Sequence, residues 1–209
     1  MLYTSKFTKY GSHEKRKRLI FLHGASGVGK TTIGNLLSQK LENSVVIDQD
    51  SFYKKKKPTI EYTIDEQDQD GEPIIIKEKN YDTVEAIDME ELDKKITDCL
   101  ESHSYVIVTG FALRLNSLKN RPDINILIDY GVDPDKAKLI MSESRQKSKG
   151  YKDEKAEKDK IRIEKVVWPY YEETLKCIGN VQIIPAFNED GRINARKIVK
   201  QIIKFINPL

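Results

Sequence analysis

The stretch "GASGVGKTT", residues 24 to 32, constrains what this chain can fold into more than any other. It meets G-x-x-x-x-G-K-[ST] with Gly24, Ala25, Ser26, Gly27, Val28, Gly29, Lys30 and Thr31, and Thr32 follows. The run before it, "RLIFLH", is short, branched and apolar, as a buried strand is. The run after it, "TTIGNLLSQKL", places Ile33, Leu36, Leu37 and Leu41 at helical spacing. A glycine-rich loop in that setting turns its N–H groups inward, and the positive end of the helix faces the same point. Residues 24 to 32 are therefore expected to cradle a nucleoside triphosphate. Lys30 would reach the β- and γ-phosphates, and the Thr31 hydroxyl would ligate Mg²⁺. A ligand-free glycine turn is the bland alternative, and such a turn rarely falls between a strand and a helix.

Short branched runs recur along the chain. "SVVID" (44 to 48), "YVIVT" (105 to 109), "INILID" (124 to 129) and "VQII" (181 to 184) join "RLIFLH" as five expected buried strands. Helical patterns separate them, over 83 to 100, 133 to about 147, about 155 to 177, and the closing "INARKIVKQIIKFI". Asp133-Pro134 is a helix-start signal, a cap followed by proline at the first helical position. The alternation predicts an α/β P-loop NTPase fold of three layers, with a central parallel sheet of about five strands and helices on both faces. Ligands in such sheets lie at the carboxyl ends of the strands. That groups the loop, Asp48 to Asp50, and Thr109 to Gly110 around one crevice. Two segments break the pattern. Residues 54 to 80 read as a flap or hairpin, with "PIIIKE" as a short edge strand and "DEQDQDGEP" as an acidic turn. Residues 145 to 160 are almost wholly charged and read as a lid over the phosphates or a solvated helix surface. Residues 1 to 209 are expected to form one domain.

Charge and cysteine usage narrow the class. The net charge of +3 is too mild to argue for nucleic acid. The basic run "KRKR" (15 to 18) reads as a solvated lead-in to the first strand rather than a nuclear address or nucleic-acid patch, and "KKKK" (54 to 57), a basic loop near the site, as a solvated face rather than a specific ligand. No apolar run approaches the roughly 20 residues of a membrane span, so no membrane partner is expected. Cys99 and Cys177 lie far apart, which fits reduced thiols in a cytoplasmic protein, and His13, His23 and His103 are too scattered for a zinc site. The oligomeric state stays open.

The second informative stretch is "VVIDQDSFYKK", a strand ending in Asp48 and followed by Gln49, Asp50, Ser51, Phe52 and Tyr53. A carboxylate at a strand's end, facing a triphosphate, can take a proton from an attacking hydroxyl. The segment resembles the uridine kinase and nicotinamide riboside kinase family, whose Q-D-[SD]-F-[YF] segment carries the catalytic base, here Asp50. "NYDTVEAIDMEEL" (80 to 92) looks like that family's N-[WY]-D-x-P-x-A segment, with Asp82 at the position that binds ribose hydroxyls. "VIVTGF" (106 to 111) looks like its V-x-V-E-G strand, and "VVWPYYEETLK" (166 to 176) resembles the W-P-x-Y segment of nicotinamide riboside kinases. The resemblance runs in islands over about residues 18 to 180. It implies ATP- and Mg²⁺-dependent phosphorylation of a ribonucleoside 5′-hydroxyl. Nicotinamide riboside is the leading acceptor, and uridine or cytidine comes second.

By the same resemblance, Asp50, Lys30 and Arg145 are the catalytic candidates. Asp50, Tyr53, Tyr81, Asp82 and Arg145 are the acceptor-binding candidates. Apart from the resemblance, Thr31 of the phosphate loop and Asp48 at the neighbouring strand end are the metal-binding candidates; the family usually has serine or a small residue at the position of Asp48. Lys147, Lys149 and Arg162 are weaker lid candidates. Each has a plainer reading: Asp50 as a surface carboxylate, Asp82 as a helix cap, Trp168-Pro169 as a packing corner. One departure stands out, for Thr109 occupies the position of the family's metal-supporting carboxylate. It leaves open a second class, a nucleotide-binding regulatory protein with little catalysis. A GTPase is disfavoured by the lack of an N-K-x-D signature.

Overall fold

Side-chain alternation along the strands builds the layers. A computed structural model describes residues 17–67, 71–111, 113–188 and 191–206. The basic residues 15 and 16, His13, and part of the acidic turn at 65 to 73 lie outside the described residues or their side chains. Arg18–His23 (β1) sends Leu19 and Phe21 to one face and Ile20 and Leu22 to the other. Lys30–Ser38 (α1) follows the glycine loop, and Ser44–Asp48 (β2) comes next. Thr59–Gln67 (β3) and Pro73–Lys79 (β4) pair as a separate antiparallel hairpin. The flap is thus a hairpin, and "PIIIKE" is one of its two strands rather than an edge of the main sheet.

Met89–Ser102 (α2) starts later than the periodicity from residue 83 suggests. Residues Val84–Ala86 form only a 3-10 turn, and Asp88 takes the cap by accepting from the Glu91 N–H at 3.0 Å. Tyr105–Gly110 (β5) and Ile124–Asp129 (β6) are the next strands. Pro134–Lys149 (α3) is capped by Asp133, which accepts from Lys136 N–H at 3.0 Å, and ends at Gly150. Asp153–Arg162 (α4), a π-helical turn over Ile163–Val167, and Trp168–Leu175 (α5) run on in helical conformation. Gln182–Pro185 (β7) and Ala195–Ile206 (α6) complete the described chain.

The five strands β2-β5-β1-β6-β7 are all parallel, with helices on both faces, a three-layer α/β fold. One core lies between the sheet and α1, α3, α5 and α6; the other holds Leu92, Ile96 and Cys99 of α2 against Leu19, Phe21, Val106 and Val108. Each such buried leucine or isoleucine contributes about 1.5–3 kcal/mol. The charged segment 145 to 160 is the corner between α3 and α4. Among the described residues no helix is long and apolar enough to cross a membrane. Cys99 and Cys177 are both free thiols.

Candidate functional site

The loop after β1 is shaped by its glycines. Gly29 caps α1 with φ 82°, and Gly27 has φ 89°, both in the left-handed region that side chains resist. A Cβ on Gly27 would lie 2.7 Å from the Ser144 Cβ, so α3 closes directly onto the loop. No side chain caps α1 and its first turn carries no acid, which leaves its first N–H groups available to an anion. Below the loop, the buried Tyr130 hydroxyl donates to the Ser26 carbonyl at 2.5 Å. Lys30 Nζ donates to the Ala25 carbonyl at 2.9 Å. Ala25 and Val28 turn their side chains into the core, so they reach the crevice only through backbone.

At the end of β2, Asp48 accepts from the Thr31 hydroxyl at 3.1 Å and from the Asp50 N–H at 3.2 Å. The expected metal pair is therefore brought together. One hydroxyl and one carboxylate, both hard oxygen donors, fit Mg²⁺, an ion that keeps several waters and leans on phosphates for the rest. Among the described residues no cluster of three or more His, Cys, Asp or Glu forms a cage of its own. Burial pushes the Asp50 carboxyl above the ordinary carboxylate range, and the charge on Asp48 adds to it; Lys30 and the Tyr53 hydroxyl oppose the shift. Burial draws Lys30 down, against the pull of Asp50 and Asp48.

The far wall is a buried ion network. Arg145 holds Asp159 through Nε at 2.9 Å and Nη2 at 2.9 Å, and its Nη1 lies 3.5 Å from Asp82. Arg162 pairs with Asp82 at 2.6 Å through Nη1, and with Glu78 of the hairpin through Nε. These contacts join α3, α4, β4 and the segment after β4. Asp82 does not cap a helix. Its own N–H is held by Asn80 at 3.1 Å, and the next turn is fixed by Val84 N–H donating to the Tyr170 hydroxyl at 2.6 Å.

Lys30, Thr31, Asp48, Asp50, Tyr53, Tyr81, Asp82 and Arg145 all line one cavity of about 1090 Å³, with Ser26 and Gly27 at its loop end. Gly24, Gly29 and Thr32 are not part of that lining. Tyr53 and Tyr81 meet edge to face at 5.6 Å, with Lys57 of the basic run 5.0 Å over the Tyr81 ring. Arg145, a catalytic and acceptor-binding candidate, faces Asp82 with one edge, while Asp159 occupies the other. Trp168 is the packing corner: 9% exposed, in the main core, its Nε1 donating to Glu172 at 2.9 Å. Thr109 does not face the crevice as expected. It is fully buried, with Cγ2 against Gly34 of α1. Sequence reasoning missed Glu78 and Asp159 and ranked Arg162 too low. Their partners lie far off in sequence, Arg145 for Asp159 and Arg162 for Glu78, so no local spacing marks them. It also missed Gln49, whose side-chain oxygen accepts from Phe111 N–H at 3.0 Å and ties the ends of β2 and β5.

Comparison with known proteins adds the following. A family model described as "AAA domain" matches residues 20–130. No curated protein sequence matches the chain. Among solved structures, a protein described as a candidate fructose transport system kinase from Silicibacter sp. TM1040 is similar at 12% identity and a TM-score of 0.50, covering 83% of this chain and 92% of its own. Shikimate kinase from Bacteroides thetaiotaomicron gives 16% identity and a TM-score of 0.45, covering 90% and 98%. Shikimate kinase from Acinetobacter baumannii, in complex with shikimate, gives 16% and 0.42, covering 92% and 94%. The first of these likenesses shows the fold of P-loop kinases.

Proposed function

This chain belongs to the AAA domain family, and from that premise we propose that it is an ATP-dependent kinase, one P-loop kinase domain that phosphorylates the 5′-hydroxyl of a ribonucleoside. The observation that carries the reading is the meeting of Lys30, Thr31, Asp48, Asp50 and Asp82 in one cavity. A phosphate loop, a metal pair, a buried carboxylate and a second carboxylate deeper in are the parts such a transfer needs. The resemblance of the Q-D-S-F-Y and Y-D segments to uridine and nicotinamide riboside kinases supports a nucleoside acceptor. Nicotinamide riboside stands first and uridine or cytidine second. Burial of Trp168 removes direct contact with the acceptor as a reason for that order.

The roles follow from position. The loop N–H groups and Lys30 bind the triphosphate, and Lys30 leaves the Ala25 carbonyl to do so. Thr31 and Asp48 would hold Mg²⁺, which would offset charge on the phosphates. Asp50 orients the acceptor hydroxyl and takes its proton. A carboxyl raised by burial is a better proton acceptor near neutral pH than an ordinary one. Asp82 accepts from the acceptor's sugar hydroxyls, and Arg145 positions Asp82. Tyr53 and Tyr81 wall the acceptor side. The position of the flap hairpin and the α3–α4 corner around the cavity supports water exclusion during transfer.

A nucleotide-binding regulatory protein with little catalysis is the rival, favoured by Thr109 in place of a carboxylate. Incubating the purified protein with ATP, Mg²⁺ and a nucleoside panel separates the two. Formation of a 5′-monophosphate from at least one nucleoside is expected. ATP binding with no monophosphate from any of them would give the rival the case.

A further inference from the structure

The last helix is charged in one sense only. Ala195–Ile206 (α6) carries Arg196, Lys197, Lys200 and Lys204 and no carboxylate. These four cations exceed the net charge of +3 on the whole chain. Arg196, Lys200 and Lys204 recur every fourth residue, so they form one row down the helix, about 6 Å apart, with Lys197 beside it. All four are exposed, as are Gln201 and Phe205, the latter at 41%. None of the four pairs with a carboxylate among the described residues. The lysines of α4 differ, for Lys158 and Lys160 each pair with a glutamate on their own helix. The other side of α6 is spent on the fold. Ile198, Val199, Ile202 and Ile206 are buried in the core, and the Arg18 guanidinium donates to the Ile206 carbonyl at 2.6 Å. The row is thus fixed to the body of the protein. Across the sheet, α2 carries five carboxylates and two lysines.

We infer that the exposed face of α6 is a docking surface for an anionic lipid bilayer, against which the protein rests without entering it. Like charges at i and i+4 destabilise a helix, and a merely solvated face gains nothing from them. Beside headgroup phosphates and carboxylates the same row is favourable, each Lys or Arg near the surface adding about fivefold to affinity. The two sides of the sheet orient the molecule, since α6 is attracted and α2 repelled. The apolar side of α6 is already buried in the core, so the helix cannot insert. Phe205 is its one exposed bulky apolar side chain, at the edge of the charged face, where an aromatic ring meets a lipid–water interface. Such association is held by charge, and is shallow and reversible. A nucleic acid is the other polyanion to weigh. Single strands lie in a basic groove that follows their backbone, and a duplex takes a helix that projects into its groove. α6 lies flat on the core and offers one convex stripe, which suits a plane. The lack of a spanning helix among the described residues bears on crossing a bilayer, so the expectation of no membrane partner does not extend to this face. No residue of α6 lines the cavity, so docking uses none of the candidate site.

The test is co-sedimentation of the full chain with vesicles, in the absence of nucleotide. Vesicles of equal parts phosphatidylserine and phosphatidylcholine are compared with phosphatidylcholine alone. Wild type should bind the anionic vesicles and not the neutral ones, and rising salt should release it. Lys197→Gln/Lys200→Gln/Lys204→Gln should bind about a hundredfold more weakly, with a melting temperature no lower than wild type. Lys200→Gln alone, losing about fivefold, serves if the triple variant does not fold. Lys94→Gln/Lys95→Gln, at two exposed lysines of α2, should bind as tightly as wild type or more so. Failure to bind anionic vesicles, equal binding to neutral ones, or a triple variant that binds like wild type would overturn the inference. So would retention on single-stranded or duplex DNA without vesicle binding, which would assign the face to nucleic acid. Neither ATP nor an acceptor enters the assay, so its outcome leaves the kinase reading to stand or fall by its own test.

Discussion

Asp159→Ala tests whether the buried network holds the lid in place. Asp159 is 4% exposed at its side chain and takes three contacts from Arg145, at 3.2, 2.9 and 2.9 Å. Removing it leaves a guanidinium that is 8% exposed facing one remaining carboxylate, Asp82, at 3.5 Å. Breaking a buried pair by deleting one partner typically costs about 3–5 kcal/mol. Because Asp82 remains, the low end applies, about 3 kcal/mol. For a chain of this size each kcal/mol lowers the melting temperature by about 2–4 °C, so a drop of about 6–12 °C is expected. Thermal melts and urea titrations would measure it, with the urea midpoint falling and the slope unchanged. Asp159→Ala/Arg145→Met should recover much of the loss, since no unpaired charge is left behind. The exposed pair Lys158–Glu154 on the same helix is the internal comparison, and Lys158→Ala should leave the melt unchanged. A loss below about 1 kcal/mol for Asp159→Ala, or a double variant as unstable as the sum of its parts, would refute the argument.

Four further outcomes are expected. Lys30→Met should abolish phosphoryl transfer and weaken ATP binding, read by product formation and calorimetry; wild-type turnover would dismiss the phosphate-loop assignment. Asp50→Asn should keep ATP binding and cut turnover by about 10²–10⁴. The raised Asp50 pKa means the folded state holds the proton more firmly than the unfolded one. Its contribution to stability is full below the ordinary carboxylate value of about 3.9 and is lost as pH rises through the folded value. Asp50→Asn should therefore melt higher than wild type at pH 7, and the gain should vanish in acid. Gly27→Val, with φ 89° and a Cβ 2.7 Å from that of Ser144, should weaken nucleotide binding at least tenfold; near-normal affinity would show that the loop tolerates the side chain. Thr109→Val should keep the melting temperature and leave the Mg²⁺ requirement of the kinase unchanged, because the buried Thr109 hydroxyl has no partner among the described residues and the residue lies outside the cavity lining. A raised Mg²⁺ requirement would restore Thr109 to the metal site.

The layers and the loop were legible because both rest on local physics. Branched runs bury on two faces, and a glycine loop between strand and helix has few other uses. The pairing within the far wall was not legible, for a different reason. Glu78, Asp82, Arg145, Asp159 and Arg162 meet only after a hairpin, a loop and a helical corner converge. In a chain with 36 basic and 33 acidic residues, nothing local marks which of them will pair. The place of Trp168 is likewise set by tertiary packing. The π-helical turn at Ile163–Val167 precedes it, and Trp168 lies in the core against Tyr130 and Tyr171. Thr109 shows where a motif match outruns geometry. The match identified the correct strand end, but alternation along β5 decides where the side chain goes. Val106 and Val108 face α2, so Ile107 and Thr109 face α1. Gly110 and Phe111, one and two residues later, are the ones that reach the cavity. A carboxylate at 109 would begin one turn of α1 below Thr31, at Gly34, and would have to extend upward past the helix to meet the metal pair. Threonine is too short for that reach. Asp48, across the strand register from Thr109 and already bonded to Thr31, is therefore the carboxylate on which the proposed Mg²⁺ binding would rest.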